Sequence, residues 1–206
     1  MNNSKTRSCP ACNYPLNEID FKLGEKILDS VGTTRDWNLS VLSCEKCGSI
    51  FKTVHENVES FYENEYEIPF YDFEDDQVYK INTDNSVTYR TDFQSKLVKD
   101  FVKNSSSKII DVLDFGCARA QTAAKLSTIN ELNLYGYDIS KVHYDTWKHS
   151  APRVSFFGPD QLSIYYQKFD LVYSFFALEH AFELSAPLEQ IKLLLKDKGS
   201  LIVALP

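Results

Sequence analysis

Residues 109–120 read Ile109-Ile110-Asp111-Val112-Leu113-Asp114-Phe115-Gly116-Cys117-Ala118-Arg119-Ala120. The stretch predicts an apolar strand that reaches a carboxylate, turns on a glycine and enters a helix. A second apolar run closes with Gly136-Tyr137-Asp138-Ile139-Ser140, which puts another carboxylate at the tip of a second strand. Open α/β sheets bind ligands outside the carboxyl ends of their strands, where a small-residue turn lets backbone approach the ligand. Asp114 and Asp138 at neighbouring tips, with Gly116 between them, predict a nucleoside site. Asp138 is the acid expected to accept from the ribose hydroxyls.

Further along, Phe169-Asp170-Leu171-Val172-Tyr173-Ser174 is followed by Phe175-Phe176-Ala177-Leu178-Glu179-His180. Leu188 to Leu195 and then Lys198-Gly199-Ser200-Leu201-Ile202-Val203-Ala204-Leu205-Pro206 supply a helix, a turn and another strand. Together these blocks resemble the class I methyltransferase fold, which binds S-adenosylmethionine, from about Lys108 to the last residue. The resemblance implies that Asp114 and Gly116 border the methionine and ribose of the cofactor, that Ile139 packs on adenine, and that Asp160 lies near the adenine amine.

Relatives carry G-x-G-x-G where this chain has Gly116-Cys117-Ala118-Arg119-Ala120. Positive φ at Ala118 or Ala120 would be strained, because only glycine adopts it freely. A nicotinamide or flavin dinucleotide is the rival ligand. It would need G-x-G-x-x-G to seat a pyrophosphate on the helix N-terminus, and here only Gly116 is a glycine. S-adenosylmethionine has no phosphate and tolerates the poorer turn.

Four of the five cysteines form two pairs, Cys9-Pro10-Ala11-Cys12 and Cys44-Glu45-Lys46-Cys47. Each C-x-x-C grips a metal from one knuckle, and two knuckles complete the tetrahedral thiolate site of structural Zn²⁺. Asn13 and Gly48 suit the tight turn after each pair. The alternative is two disulfides or four reduced thiols. Trp37 to Ser43 alternates as a strand leading into Cys44, and Ser49 to Val54 leads away, which reads as a zinc ribbon with a long insertion. Cys117 stands apart as a small packing residue.

The chain has 206 residues, a net charge of −7 and 43% hydrophobic residues, enough for one full-sized domain plus a small one. The acidic balance disfavours nucleic acid, whose binding needs clustered Lys and Arg. No apolar run reaches the length of a membrane span, and Met1 to Ser8 is too polar for a signal peptide, so a cytoplasmic protein with no membrane partner is expected.

The expected organisation is a zinc-ribbon module over 1–58, a Tyr- and acid-rich linker over 59–90 and a methyltransferase domain over 91–206. The linker either covers the cofactor cleft with its tyrosines or is a solvated connector. Thr91 or Asp92 caps the next predicted helix, with Phe93, Leu97, Phe101 and Val102 on one face. Strands and helices then alternate: 108–114, 119–128, 132–138, 141–149, 153–157, 169–174, 187–196 and 200–205. This is an α/β, doubly wound, Rossmann-like sheet. The family's sheet continues beyond the fifth strand. The chain therefore reads as incomplete at its C-terminus, with a sheet edge open to association.

Methyl transfer is an in-line displacement, so the protein chiefly holds donor and acceptor at attack distance. Glu179 and His180 follow the fourth strand and face the cleft. An imidazole suits proton removal from a hydroxyl or acidic carbon, and the same dipeptide could instead shape the loop. His55, His143 and His149 are read as surface or packing residues. A four-cysteine module, a Tyr-rich connector and this core resemble bacterial sugar methyltransferases, implying a nucleotide sugar or surface glycan as the small-molecule acceptor. The competing readings are a non-catalytic, zinc-bearing interaction module that holds cofactor without turnover, and an RNA methyltransferase.

Overall fold

A computed structural model describes residues 7–19, 26–29, 32–36, 39–54, 58–66, 76–105, 109–181 and 183–205. Trp37, Asn38, His55, residues 67–75 of the aromatic and acidic stretch, Lys108 and Pro206 lie outside them. The chain divides into two units, Met1–Phe61 with Tyr66–Pro69, and Tyr62–Glu65 with Phe70–Pro206.

The first unit holds β1 (Asn17–Ile19), β2 (Ile27–Leu28), β3 (Thr34–Arg35), β4 (Leu39–Ser43) and β5 (Ile50–Val54). An antiparallel sheet runs β1-β4-β5, and β2 and β3 pair as a hairpin. Asp29 locks that hairpin by accepting the Thr33 N–H and the Arg35 Nε, both at 2.8 Å. Helix α1 (Val58–Asn64) crosses the division between the units.

The second unit opens with a hairpin, β6 (Val78–Ile81) and β7 (Val87–Tyr89), inside the stretch read above as connector. Its turn is set by Asp84, whose carboxylate accepts the Ser86 N–H, and by Asn85 at φ 63. Helix α2 (Arg90–Lys103) follows at once. Its N-cap is Tyr89, which offers no side-chain bond; neither Thr91 nor Asp92 holds that position. Asp76 takes the capping role instead, accepting from the Thr91 backbone N–H and hydroxyl.

The buried residues of α2 also differ from the expected apolar stripe. They are Thr91, Gln94, Ser95 and Val98, with Phe101 and Val102 partly buried. Gln94 is tolerated inside because the Thr122 hydroxyl donates to its Oε1 at 2.6 Å, and a buried polar group is penalised only when unpaired. Phe93 lies outside this face and stacks on Tyr79 of the hairpin, centroids 4.2 Å apart.

The remaining chain alternates β8 (Ile110–Phe115), α3 (Gln121–Leu126), β9 (Leu132–Tyr137), α4 (Tyr144–Ser150), β10 (Val154–Phe157), a 3-10 turn (Pro159–Tyr165), β11 (Phe169–Phe175), a second 3-10 turn (Leu178–His180), α5 (Ser185–Leu194) and β12 (Leu195–Ala204). The five strands form a parallel sheet in the order β10-β9-β8-β11-β12. Strand order reverses between β8 and β11, the switch point at which such sheets bind ligands.

Alternation along β8 divides its side chains between two cores. Ile110 and Val112 join Val98, Ala123, Leu126, Leu134, Trp147 and Leu171 on one face. Leu113 and Phe115 join Tyr137, Phe157, Phe169, Val172, Ile191 and Leu194 on the other. Both faces being covered explains the near-continuous apolar runs. Each fully buried Leu or Val here contributes roughly 1.5–3 kcal/mol. At the end remote from the switch point, Lys196 Nζ lies 2.8 Å from Asp170 and 3.4 Å from Asp111, and Lys168 Nζ lies 3.3 Å from Asp111. These partly exposed pairs tie the starts of β8, β11 and β12 together.

Candidate functional site

In the first unit the four cysteines converge. The sulfurs of Cys9, Cys12, Cys44 and Cys47 all lie within 4.8 Å of one another. Cys9 to Cys47 is 3.6 Å and Cys12 to Cys44 is 3.5 Å, far beyond a disulfide bond. The two knuckles repeat one hydrogen-bond pattern. Asn13 N–H donates to Cys9 O and Gly48 N–H to Cys44 O, each at 2.8 Å. Cys9 N–H donates to Tyr14 O at 2.8 Å and Cys44 N–H to Ser49 O at 2.9 Å. Asn13 and Gly48 have φ of 57 and 73, the left-handed turn their residue types favour. The Ser49 hydroxyl and then its backbone amide draw the Cys47 thiol down to about 6.

In the second unit the turn after β8 is held at almost every peptide. Gly116 N–H and Cys117 N–H both donate to Tyr137 O, at 2.8 and 3.0 Å. Ala118 N–H donates to Asp138 Oδ2 at 2.7 Å, and Trp147 Nε1 donates to Ala118 O at 2.7 Å. Ala120 N–H donates to Cys117 O at 2.6 Å.

Ala118 and Ala120 sit at φ 43 and 56, so both take the left-handed conformation that glycine adopts most freely. That conformation costs about 1–2 kcal/mol in a residue with a Cβ, and the surrounding bonds hold it in place. Gly116, at φ 81, has a second constraint: a Cβ there would stand 2.4 Å from the Ala177 Cβ, so the loop after β11 packs directly on the turn.

Asp114 is buried near the end of β8, and the Tyr173 hydroxyl donates to its Oδ2 at 3.0 Å. Burial pushes its carboxyl up to about 8, with the Tyr173 bond opposing and the charge of Asp138 reinforcing. Asp138 is also raised by burial, while N–H groups of Ser140 and Ala118 oppose the rise. Its Oδ1 accepts from Ser140 at 2.8 Å. The two acids therefore share one electrostatic environment, and Asp138 also holds the turn. A carboxylate has about four lone-pair directions, so Asp138 keeps acceptor capacity beyond the Ala118 and Ser140 bonds.

Ile139 is 42% exposed at the tip of β9. Asp160 is exposed in the 3-10 turn after β10. Tyr144 links the two regions: its hydroxyl lies 3.5 Å from Asp138 O, a Cβ on Gly158 would meet it at 2.3 Å, and Asp160 is among the charges it feels. Glu179 and His180 are exposed just beyond Ala177, on the β11 side of the turn. Arg90 lies over the Phe176 ring at 3.6 Å and feels the Glu179 charge. Phe176, at φ 56, is another strained residue beside the turn.

The structure thus brings Asp114, Gly116 and Asp138 together, with Ile139 and Asp160 along one flank and Glu179 and His180 along the other. Sequence reasoning missed Tyr173, Tyr144, Trp147 and Arg90. Tyr173 meets Asp114 only through the β8·β11 register, a pairing that no local sequence pattern marks.

The parallel sheet in this strand order is the fold of a class I, S-adenosylmethionine-dependent methyltransferase domain. A family model described as a methyltransferase domain matches residues 87–206, more than half of the chain, and the chain belongs to that family. No curated protein matches it.

Among solved structures, it is similar to a protein assigned as a sarcosine dimethylglycine methyltransferase from Galdieria sulphuraria: 15% identity, TM-score 0.50, covering 63% of this chain and 54% of that one. It is also similar to a TehB-like SAM-dependent methyltransferase from Corynebacterium glutamicum: 21% identity, TM-score 0.44, covering 53% of this chain and 60% of that one. A third is phosphoethanolamine N-methyltransferase 2 from Haemonchus contortus in complex with S-adenosyl-L-methionine: 21% identity, TM-score 0.44, covering 54% and 27%. The chain spans less than two thirds of each of these proteins.

Proposed function

We propose that the protein transfers a methyl group from S-adenosylmethionine to a small-molecule acceptor, a nucleotide sugar or a surface glycan, in the cytoplasm. The observation that carries the cofactor reading is the convergence of buried Asp114 and Asp138 on the Gly116 turn at the switch point. A buried carboxyl raised to about 8 suits a neighbouring cation or hydroxyl donors, and the cofactor offers both. When bound, S-adenosylmethionine supplies an electrophilic methyl on a sulfonium. Asp138 would hold the ribose hydroxyls, Asp114 and the Gly116 turn would face the ribose and methionine portion, and Ile139 and Asp160 would lie toward adenine.

His180, assisted by Glu179, would take the proton from the acceptor hydroxyl or acidic carbon as the methyl bond forms. The arrangement of a four-cysteine module, a Tyr-rich connector and a methyltransferase core, which resembles that of bacterial sugar methyltransferases, supports the acceptor class. The test is transfer of labelled methyl to a panel of nucleotide sugars and glycans. Labelled product is expected, and its absence across a panel that includes small amine and hydroxyl acceptors would refute the activity.

We further propose that Cys9, Cys12, Cys44 and Cys47 hold one structural Zn²⁺. The sulfur separations of 3.5 and 3.6 Å approach the tetrahedral edge of roughly 3.8 Å that Zn–S bonds of about 2.3 Å require. Four protein ligands leave no open position for chemistry at the metal.

A further inference from the structure

We propose that Tyr62 and Glu63 form the roof of the cofactor cleft; this rests on the cofactor reading above. Two contacts fix their position. The Tyr62 ring lies against the His180 imidazole, centroids 6.0 Å apart, in the loop that follows β11. The adjacent Glu63 carbonyl accepts the Lys141 N–H at 2.8 Å, in the loop that follows β9. Strand order places β8 between β9 and β11, so the loops that follow β9 and β11 flank the end of β8. A dipeptide held by both of these loops is thereby placed at the β8 end of the cleft, where the Gly116 turn begins.

The turn that follows β8 presents small residues at Gly116, Cys117 and Ala118. Gly116 and Ala177 are in close apposition, and Ala118 turns toward Asp138. Tyr62 is half-buried, and its phenol is raised by burial alone. On the β9 side, Glu63 contributes to the electrostatics of Tyr144, which flanks Asp138.

Both residues precede residue 87, so the family match does not include them. A ring and a peptide in this position exclude water from the sulfonium and acceptor, which in-line transfer requires. Tyr62 acts here as an enclosing and positioning residue, and ligand exchange requires the roof to open.

The test follows release of labelled S-adenosylhomocysteine from the full chain, chased with unlabelled ligand. Tyr62→Ala is expected to speed release about tenfold or more, and Tyr62→Phe, which keeps the ring, to stay within about twofold of wild type. Independently, amide hydrogen exchange at residues 62–65 of the wild type should slow when S-adenosylhomocysteine saturates the protein. This second measurement decides the matter should Tyr62→Ala not fold. Binding by the wild type with unchanged release from Tyr62→Ala, or with unchanged exchange at 62–65, would overturn the roof and leave the cofactor reading intact. No binding by the wild type would overturn both.

Discussion

The Asp138 carboxylate accepts the Ala118 backbone N–H at 2.7 Å, so the acid at the end of β9 shapes the turn that leaves β8. The same carboxylate also accepts from Ser140. Replacing Asp138 with Ala removes bonds to the buried Ser140 peptide and the partly buried Ala118 peptide. Stability should fall by about 1–3 kcal/mol, the range for leaving such groups unpaired. Urea unfolding of both proteins measures it, and an unchanged midpoint would show that the turn holds itself.

Left-handed φ at Ala118 and Ala120 makes glycine the better residue there. The relief of about 1–2 kcal/mol is partly offset by the greater unfolded-chain entropy of glycine, about 0.4–1 kcal/mol. Ala118→Gly should therefore raise stability by up to about 1 kcal/mol, whereas Ala118→Val should lower it. Chemical denaturation midpoints decide. A clear loss on Ala118→Gly would mean that the alanine methyl makes a packing contribution larger than its strain.

Asp114 keeps its proton in the folded state up to about 8, whereas the unfolded chain loses it near the ordinary 3.8. Between those values the unfolded state binds fewer protons than the folded state, so this group makes stability fall as pH rises. Asp138, raised by burial, adds in the same direction. Asp114→Asn should flatten the decline in stability measured between about pH 5 and about pH 8. An equally steep decline in the variant would assign the effect to other groups.

A sulfonium placed beside Asp114 would favour its ionised form and reverse part of that shift. Binding of S-adenosylmethionine should thus release protons below about pH 8, whereas S-adenosylhomocysteine, whose sulfur is neutral, should release fewer. Calorimetry in buffers of different ionisation enthalpy reports the difference. Equal release by the two ligands would place the sulfur away from Asp114.

The cysteine cluster should carry near-stoichiometric zinc in protein purified without chelator. A Cys44→Ser, Cys47→Ser double variant should lose it together with the folding of β4 and β5, because metal binding and folding of such a module are coupled. Elemental analysis and far-ultraviolet dichroism measure the two effects. Wild type with four titratable thiols and no metal would refute the assignment.

The parallel sheet was legible because both of its faces are buried, so strands such as Val112-Leu113 and Leu171-Val172 stand out as apolar runs ending at Asp114 and near Ser174. The knuckles were legible from spacing alone. The hairpin β6–β7 was not: Val78, Tyr79, Ile81, Val87 and Tyr89 remain exposed, and no buried alternation marks the strands.

The face of α2 was misjudged for the opposite reason, since Thr91 and Gln94 are buried through polar partners that periodicity does not register. Tyr173 escaped notice because its role depends on a register with β8 that spans 59 residues. Strain at Ala118 and Ala120 was expected wherever the turn needed positive φ, and the backbone adopts it at both.

The most direct test of the cofactor site is the affinity for S-adenosylmethionine of the full chain and its Asp138→Ala variant, measured by calorimetry alongside the variant's folding. The wild type should bind one equivalent, and the folded variant should bind about 1.5–3 kcal/mol more weakly, the range for a hydrogen bond to a charged group. No binding by the wild type, or equal affinity in the two proteins, would contradict the assignment of Asp114, Gly116 and Asp138 as the cofactor site.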